Sequence, residues 1–363
     1  MKVTKLIAGI AAVMGLALTT ACSHSSDTPD DPSIAMLHIN VSLVRSAGYS
    51  RATGDEYNGQ RPAINDGERL HNLRIIIIDG DGYVEHNTRW NLDVPASDAS
   101  GADFPVRNND DKTILFVGNE DGKTVVTADG TEMSLTDYLN TFNAFVGMHV
   151  DVDDVRKVTM PFNPMVTEPQ METPLPITAI HKYHVGNVLV DAATFTLTRA
   201  AVKYTTSFRN STDKPHTVRI RLSNIPRSQY LFFDADFTDD TNDGQYFWTA
   251  YRTPAGPEAT SEALYFNYTV GSGRSVDLPL VYLPEGPAGT QYTIGVIIDG
   301  NDMGDSPIRW YVPQTPGQLT LMTDLPRNTN VVTEIEYIGA NPVFTYQVCP
   351  WNIEEDIEIP PFN

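Results

Sequence analysis

The chain has 363 residues, more than one ordinary core holds, which sets two domains as the expectation. Its 25 Lys and Arg against 46 Asp and Glu give a net charge of −21, and a surface of that sign repels phosphate backbones and argues against a nucleic-acid partner. An apolar content of 41% with 25 Gly and 25 Pro suits a turn-rich β protein with two cores better than a helical one.

Lys2 and Lys5 precede an apolar run from Leu6 to Leu18, shorter than the about 20 residues that span a bilayer, so residues 1–21 read as a signal peptide. Thr19, Thr20 and Ala21 stand before Cys22. This is similar to a lipobox, in which the cysteine is lipidated and becomes the new N-terminus, although Leu is commoner than Thr19 at its position. The alternative is a plain secretory signal with an incidental cysteine. Only Cys349 remains besides Cys22, so a lipidated Cys22 leaves no internal disulfide. Residues 23–33 are polar and acidic with two prolines, as in a tether.

Residues 35–44 alternate, with Leu37, Ile39, Val41 and Leu43 opposed to His38, Asn40 and Ser42, which predicts a half-buried strand. A loop with Arg45, Arg51 and Arg61 follows. The runs LHNLRIIIID and YVEHNTRW flank Gly80-Asp81-Gly82 and predict a hairpin; the acidic turn lacks the ligand spacing of a calcium loop. Residues 113–118 read as a strand. Leu135, Tyr138, Leu139 and Phe142 recur at helical spacing behind Ser134 and predict a helix over 134–145. His181 and His184 have no third ligand nearby and read as surface histidines.

A second β-rich region starts at Ala193, with Phe195, Leu197, Val202 and Tyr204, then Val218, Ile220 and Leu222 alternating with arginines. Further strands are expected at 278–283, 291–298, 308–312 and 331–338. Many short strands between turns predict a β-sandwich. The acidic loop 234–243 reads as solvated, with a calcium site as the alternative. Tyr246, Phe247, Trp248 and Tyr251 fit either a loop or core role or a stacking platform. GSGRS at 271–275 lacks the phosphate-binding lysine, and no nucleophile elbow, HExxH helix or dinucleotide motif is present, so no enzyme, cofactor or catalytic residue is expected.

Several tracts carry a resemblance. Cys22 precedes a single alternating strand, and Ser50-Arg51-Ala52-Thr53-Gly54 is similar to an Arg cleavage site. LPITAIHKYHV, with Ile177 where Met is usual, resembles a Pro-Met-Thr segment. The tract from Leu197 to Lys203 is similar to a Leu-x-Arg-x-x-Ala-Lys strand, with its alanine displaced. VFTYQVCPWNIEEDIEIPPF is similar to Trp-containing terminal strands. In order across nearly the whole chain, these tracts resemble the fimbrillin family, the type V pilin subunits of Bacteroidales.

The resemblance implies a mostly β fold of two transthyretin-like β-sandwich domains in tandem, over 52–192 and 193–363, with the short helix in the first. It implies export through the lipoprotein machinery to the outer membrane and a lipidated leader, 22–51, whose strand of Leu37, Ile39, Val41 and Leu43 is removable. An Arg-specific gingipain-type protease is expected to cut between Arg51 and Ala52, with Arg45 as the alternative. Polymerisation with other fimbrial subunits by strand exchange follows. The tail 353–363, with Ile353, Ile357, Ile359 and Phe362, is either the donor strand or an ordinary last strand. The expected role is a structural subunit of a surface fimbria, in the stalk or as a tip or accessory part. The alternative is a surface lipoprotein or tip adhesin that holds a glycan or host protein without polymerising.

Overall fold

The computed structural model describes residues 33–43, 66–96, 98–161, 172–232, 262–285, 292–308, 310–315, 318–322, 325 and 327–350. The first half supplies β1 (Ile34–Leu43), β2 (Leu70–Ile78), β3 (Val84–Ala96), β4 (Asp98–Arg107) and β5 (Asp110–Gly118). The short β6 (Thr124–Val126), β7 (Glu132–Ser134) and β8 (Thr159–Pro161) follow, then β9 (Ile177–Val185) and β10 (Val190–Arg199). The second half holds β11 (Val202–Asn210), β12 (His216–Ile225), β13 (Ser228–Tyr230), β14 (Glu262–Val270), β15 (Ser275–Asp277) and β16 (Val281–Leu283). It continues with β17 (Thr293–Ile298), β18 (Asn301–Pro307), β19 (Trp310–Thr315), β20 (Gln318–Met322), β21 (Thr329–Tyr337) and β22 (Pro342–Pro350).

Seven strands run in the order β3-β2-β5-β9-β10-β1-β4. β10 meets β9 only at Thr198–Thr178 and Arg199–Ile177, and over Val190–Leu197 it pairs with β1 instead. The path therefore folds into two layers. Leu73, Ile75, Ile77 and Phe116 of one layer share a core with Leu37, Ile39, Phe104 and Phe195 of the other. The other face of β2 and β5 carries Ile76, Ile78, Leu115 and Val117, which pack under Leu135 and Leu139 of the helix layer. Burial on both faces explains the unbroken isoleucine run in β2.

The predicted helix spans Leu135–Asn140, with the Ser134 hydroxyl accepting from the Asp137 N–H at 3.0 Å. It is shorter than expected because the Thr141 hydroxyl donates to the Tyr138 carbonyl and closes the last turn. The second core lies between β11 and β21 on one side and β12 and β17 on the other, with Tyr204, Phe208, Val331, Ile220 and Val296 inside. The expected domain boundary after residue 192 falls inside β10, whose Phe195 and Leu197 belong to the first core; β11 begins the second at Val202.

Where the halves meet, charges are buried. Glu68 accepts from the Lys203 ammonium at 2.7 Å and the Tyr282 hydroxyl at 2.6 Å, while Arg199 donates to the Glu68 carbonyl at 2.7 Å. Burial pushes the Arg199 guanidinium down to about 10. Arg327 pairs with Glu285 and donates to the Thr178 hydroxyl and to the carbonyls of Tyr230 and Leu231, tying β21's approach to β9 of the first half.

Candidate functional site

β1 occupies an interior position, and its sequence explains how. Successive side chains of a strand point to opposite faces, so the ten residues of β1 present one apolar row and, from His38 on, one polar row. Ala35, Leu37, Ile39 and Leu43 are fully buried and Val41 is 2% exposed, whereas Met36, His38, Asn40 and Ser42 are half-buried on the other face. A shift of one residue would place the polar row in the core, so the burial pattern fixes the register.

Both edges of β1 are bonded. It runs parallel to β10, from Met36–Val190 to Leu43–Leu197, and antiparallel to β4, from Ile34–Arg107 to Ser42–Asp98. The ladder extends at its start, where Met36 N–H donates to the Leu189 carbonyl and Asn108 N–H to the Ser33 carbonyl, both at 2.9 Å. On the outer face His38 meets Asp103 across the pair at 2.7 Å.

β4 shows how a weak strand forms against β1. Its register slips between Ile39–Ala102 and Val41–Ala99, where Gly101 adopts φ +89, a bulge that a side chain would strain. The Pro105 carbonyl accepts from His86 Nε2 at 2.7 Å. A residue's N–H and C=O point the same way in a strand, so the N–H that Pro105 lacks lies on the side away from β1 and costs no ladder bond.

The floor of the seat is aromatic. Phe195 lies 5.1 Å from Phe116 and 5.3 Å from His181, and Phe104 lies 5.8 Å from Trp90. His181 thus departs from the surface reading: it is 5% exposed, with Nε2 2.8 Å from the Thr196 carbonyl oxygen. His184 is exposed beside Asp111, on the opposite face because it stands three positions, an odd number, after His181 in one strand.

The predicted hairpin turn is also in place. The Asp79 carboxylate accepts from the N–H groups of Asp81 and Tyr83, and Gly82 has φ +88. Asp79, Glu85 and Asp110 lie close enough together to share a cation. Protein cations already serve them: Lys112 bonds Asp110 at 2.7 Å and Glu85 at 2.9 Å, and Arg107 reaches Asp79 at 3.2 Å. Burial raises the Asp110 carboxyl, but the hydrogen bond and charge of Lys112 outweigh it and hold the group below its ordinary range.

Of the residues singled out in the sequence, Leu37, Ile39, Val41 and Leu43 come together in this seat. Cys22, Arg45, Arg51, Ala52, Ile353, Ile357, Ile359, Phe362, the acidic loop 234–243 and the aromatics 246–251 lie outside the described residues. The flanking strands β10 and β4 escaped the sequence reading as partners. The alternation of Ala102, Phe104 and Val106 was the available signal for β4, masked by Gly101 and Pro105. Chemically, this arrangement binds a strand: two backbone edges and a row of apolar positions between them.

No protein-family model matches the sequence, and no curated protein does. Among solved structures, the chain is similar to the tip fimbrial protein Mfa3 from Porphyromonas gingivalis with C-terminal truncation. That match has a TM-score of 0.52 at 13% identity and covers 88% of this chain and 100% of that one. It is also similar to a candidate cell adhesion protein from Parabacteroides distasonis, with a TM-score of 0.54 at 14% identity, covering 89% of this chain and 99% of the other. The chain shares the fold of these two proteins.

Proposed function

We infer that this chain, which has the fold of a tip fimbrial protein, is a fimbrillin-type subunit of a cell-surface fimbria, made as a lipoprotein precursor and assembled by strand exchange. One observation carries the reading: β1 is an interior strand, buried along a whole face and bonded on both edges, yet it lies N-terminal to the arginine-bearing loop. Four large apolar side chains at about 1.5–3 kcal/mol each give burial on the order of 6–12 kcal/mol before ordering costs. While β1 is covalently attached it also competes at an effective concentration in the millimolar range.

Lipidation at Cys22 holds the precursor at the outer membrane. Cleavage after Arg51, or after Arg45, turns β1 from a tethered plug into a separate peptide. Its departure leaves unpaired edges on β10 and β4 and an apolar groove between them, which a strand from another subunit repairs. The tail 353–363 is the donor. The two domains meet near Ala200.

The test is to treat the purified precursor with an Arg-specific protease. The expected result is loss of the residues up to Arg51 and SDS-resistant ladders, with no ladders when 353–363 is removed. A chain that is cut and stays monomeric is a binding lipoprotein and refutes assembly. Ladders that survive the truncation refute the donor assignment alone.

A further inference from the structure

One end of the first half gathers most of the exposed large apolar residues among those described. β1, β5 and β10 start there, and β2, β4 and β9 finish there. The end is continuous. Asn108 N–H bonds Ser33, Asn109 N–H bonds Gly186, Gly80 sits against Asp110, and Tyr83 pairs with His149. On its loops stand Tyr83, Phe145, Met148, Val188 and Leu189, with Val190 at the start of β10; of the large apolar residues described, only Val94, Tyr265, Ile338 and Val343 are exposed elsewhere. Phe145 is 102% exposed and Leu189 53%.

An apolar cluster of this kind in a soluble domain marks a docking face. What covers it follows from where the chain enters. Ser33 lies at this end, so the segment carrying Cys22 leaves from the same rim. Ser33 stands eleven positions after Cys22, a reach of about 40 Å at most. We propose that this end is a membrane-seating face, and that Phe145, Leu189 and their neighbours enter the headgroup region of the bilayer while the precursor is tethered. This rests on the lipoprotein reading above. An aromatic and aliphatic tip beside an acyl anchor supplies the second signal that one short anchor needs for stable binding. Asp79, Asp81, Glu85, Asp110 and Asp111 outnumber Arg107 and Lys112 around the tip, so the favoured surface is zwitterionic and not anionic.

The test places tryptophan at Phe145→Trp and Leu189→Trp, with Val94→Trp and Ile338→Trp as exposed controls away from this end. Each full precursor is put on phosphatidylcholine vesicles with brominated acyl chains. The acyl mass on Cys22 is read separately. The added tryptophans at 145 and 189 are expected to lose at least about half their emission and the controls none, with weaker quenching on anionic vesicles. Equal quenching at all four positions, or none at 145 and 189, overturns the proposal. A lipidated chain that floats with vesicles unquenched sinks the seating face and leaves the lipoprotein reading intact. An unlipidated chain that is still quenched at 145 and 189 does the reverse. Shielding of 145 and 189 only in protease-made polymers makes this end a subunit contact and overturns the proposal.

Discussion

Leu37→Ala is the most direct probe of the β1 seat. Leu37 is fully buried in the first core, with Ile75, Phe104 and Phe116 in the same cluster. Truncating such a leucine removes its transfer energy and leaves a cavity, at about 2–5 kcal/mol. A factor of ten accompanies each 1.4 kcal/mol, so retention of the strand weakens by about 30-fold to several thousand-fold. Ile39→Ala should behave alike, whereas His38→Ala and Ser42→Ala on the outer face should cost less than about 1 kcal/mol. Urea unfolding of the precursor, followed through emission that includes Trp90 at the edge of this core, reads the difference. After cleavage in the arginine loop and departure of β1, Leu37→Ala should no longer affect the remaining subunit. Equal losses from the two faces of β1 would show that the alternation does not seat it.

Other perturbations test the rest of the fold. Lys203→Met removes the ammonium that bonds the buried Glu68 carboxylate and should destabilise by about 3–5 kcal/mol, with Glu68→Gln added to it recovering much of the loss in a denaturant double-mutant cycle. Gly118→Ala puts a Cβ 2.4 Å from Leu70 Cδ2 and 3.3 Å from the Ile177 Cβ, so its urea midpoint should fall by the equivalent of about 1–3 kcal/mol. The Asp299 carboxyl is held below its ordinary range by the His216 ring and the Thr217 N–H. A depressed folded value means stability that is present above the unfolded pKa, about 3.9, and lost as pH falls below it. Asp299→Asn should therefore flatten the acid limb of a urea-midpoint profile between pH 5 and 2 while lowering the plateau near pH 7.

What could be read in the sequence was local. β1 announced itself because the seven residues from Leu37 to Leu43 alternate without interruption, and the Ser134 cap fixed the helix start because its hydroxyl serves the nearest free N–H. Its neighbours could not be read, since pairing with β10 joins residues far apart in sequence and leaves no periodic trace. β18 shows the opposite failure. NDMGDSP has no strand propensity, and it becomes a strand because β17 pairs with it and Arg221 reaches Asp305 at 2.5 Å and Asp302 at 3.2 Å. That reach crosses Gly295, where a Cβ would lie 2.0 Å from the Asp305 carboxylate. Ionic residues buried between the halves were invisible for a simpler reason: composition gives Glu68 and Arg327 a charge but no depth.

The two flanks of β1 run in opposite directions, β10 with it and β4 against it. Any replacement threaded head-first or tail-first meets one co-directional and one counter-directional rail, so backbone pairing is indifferent to which terminus leads. That leaves side-chain order to set orientation, since the buried row runs from the small Ala35 at one extremity to Leu43 at the other. Under the proposed strand exchange, a guest would be sorted by the order of its side-chain sizes, as a key is by its notches.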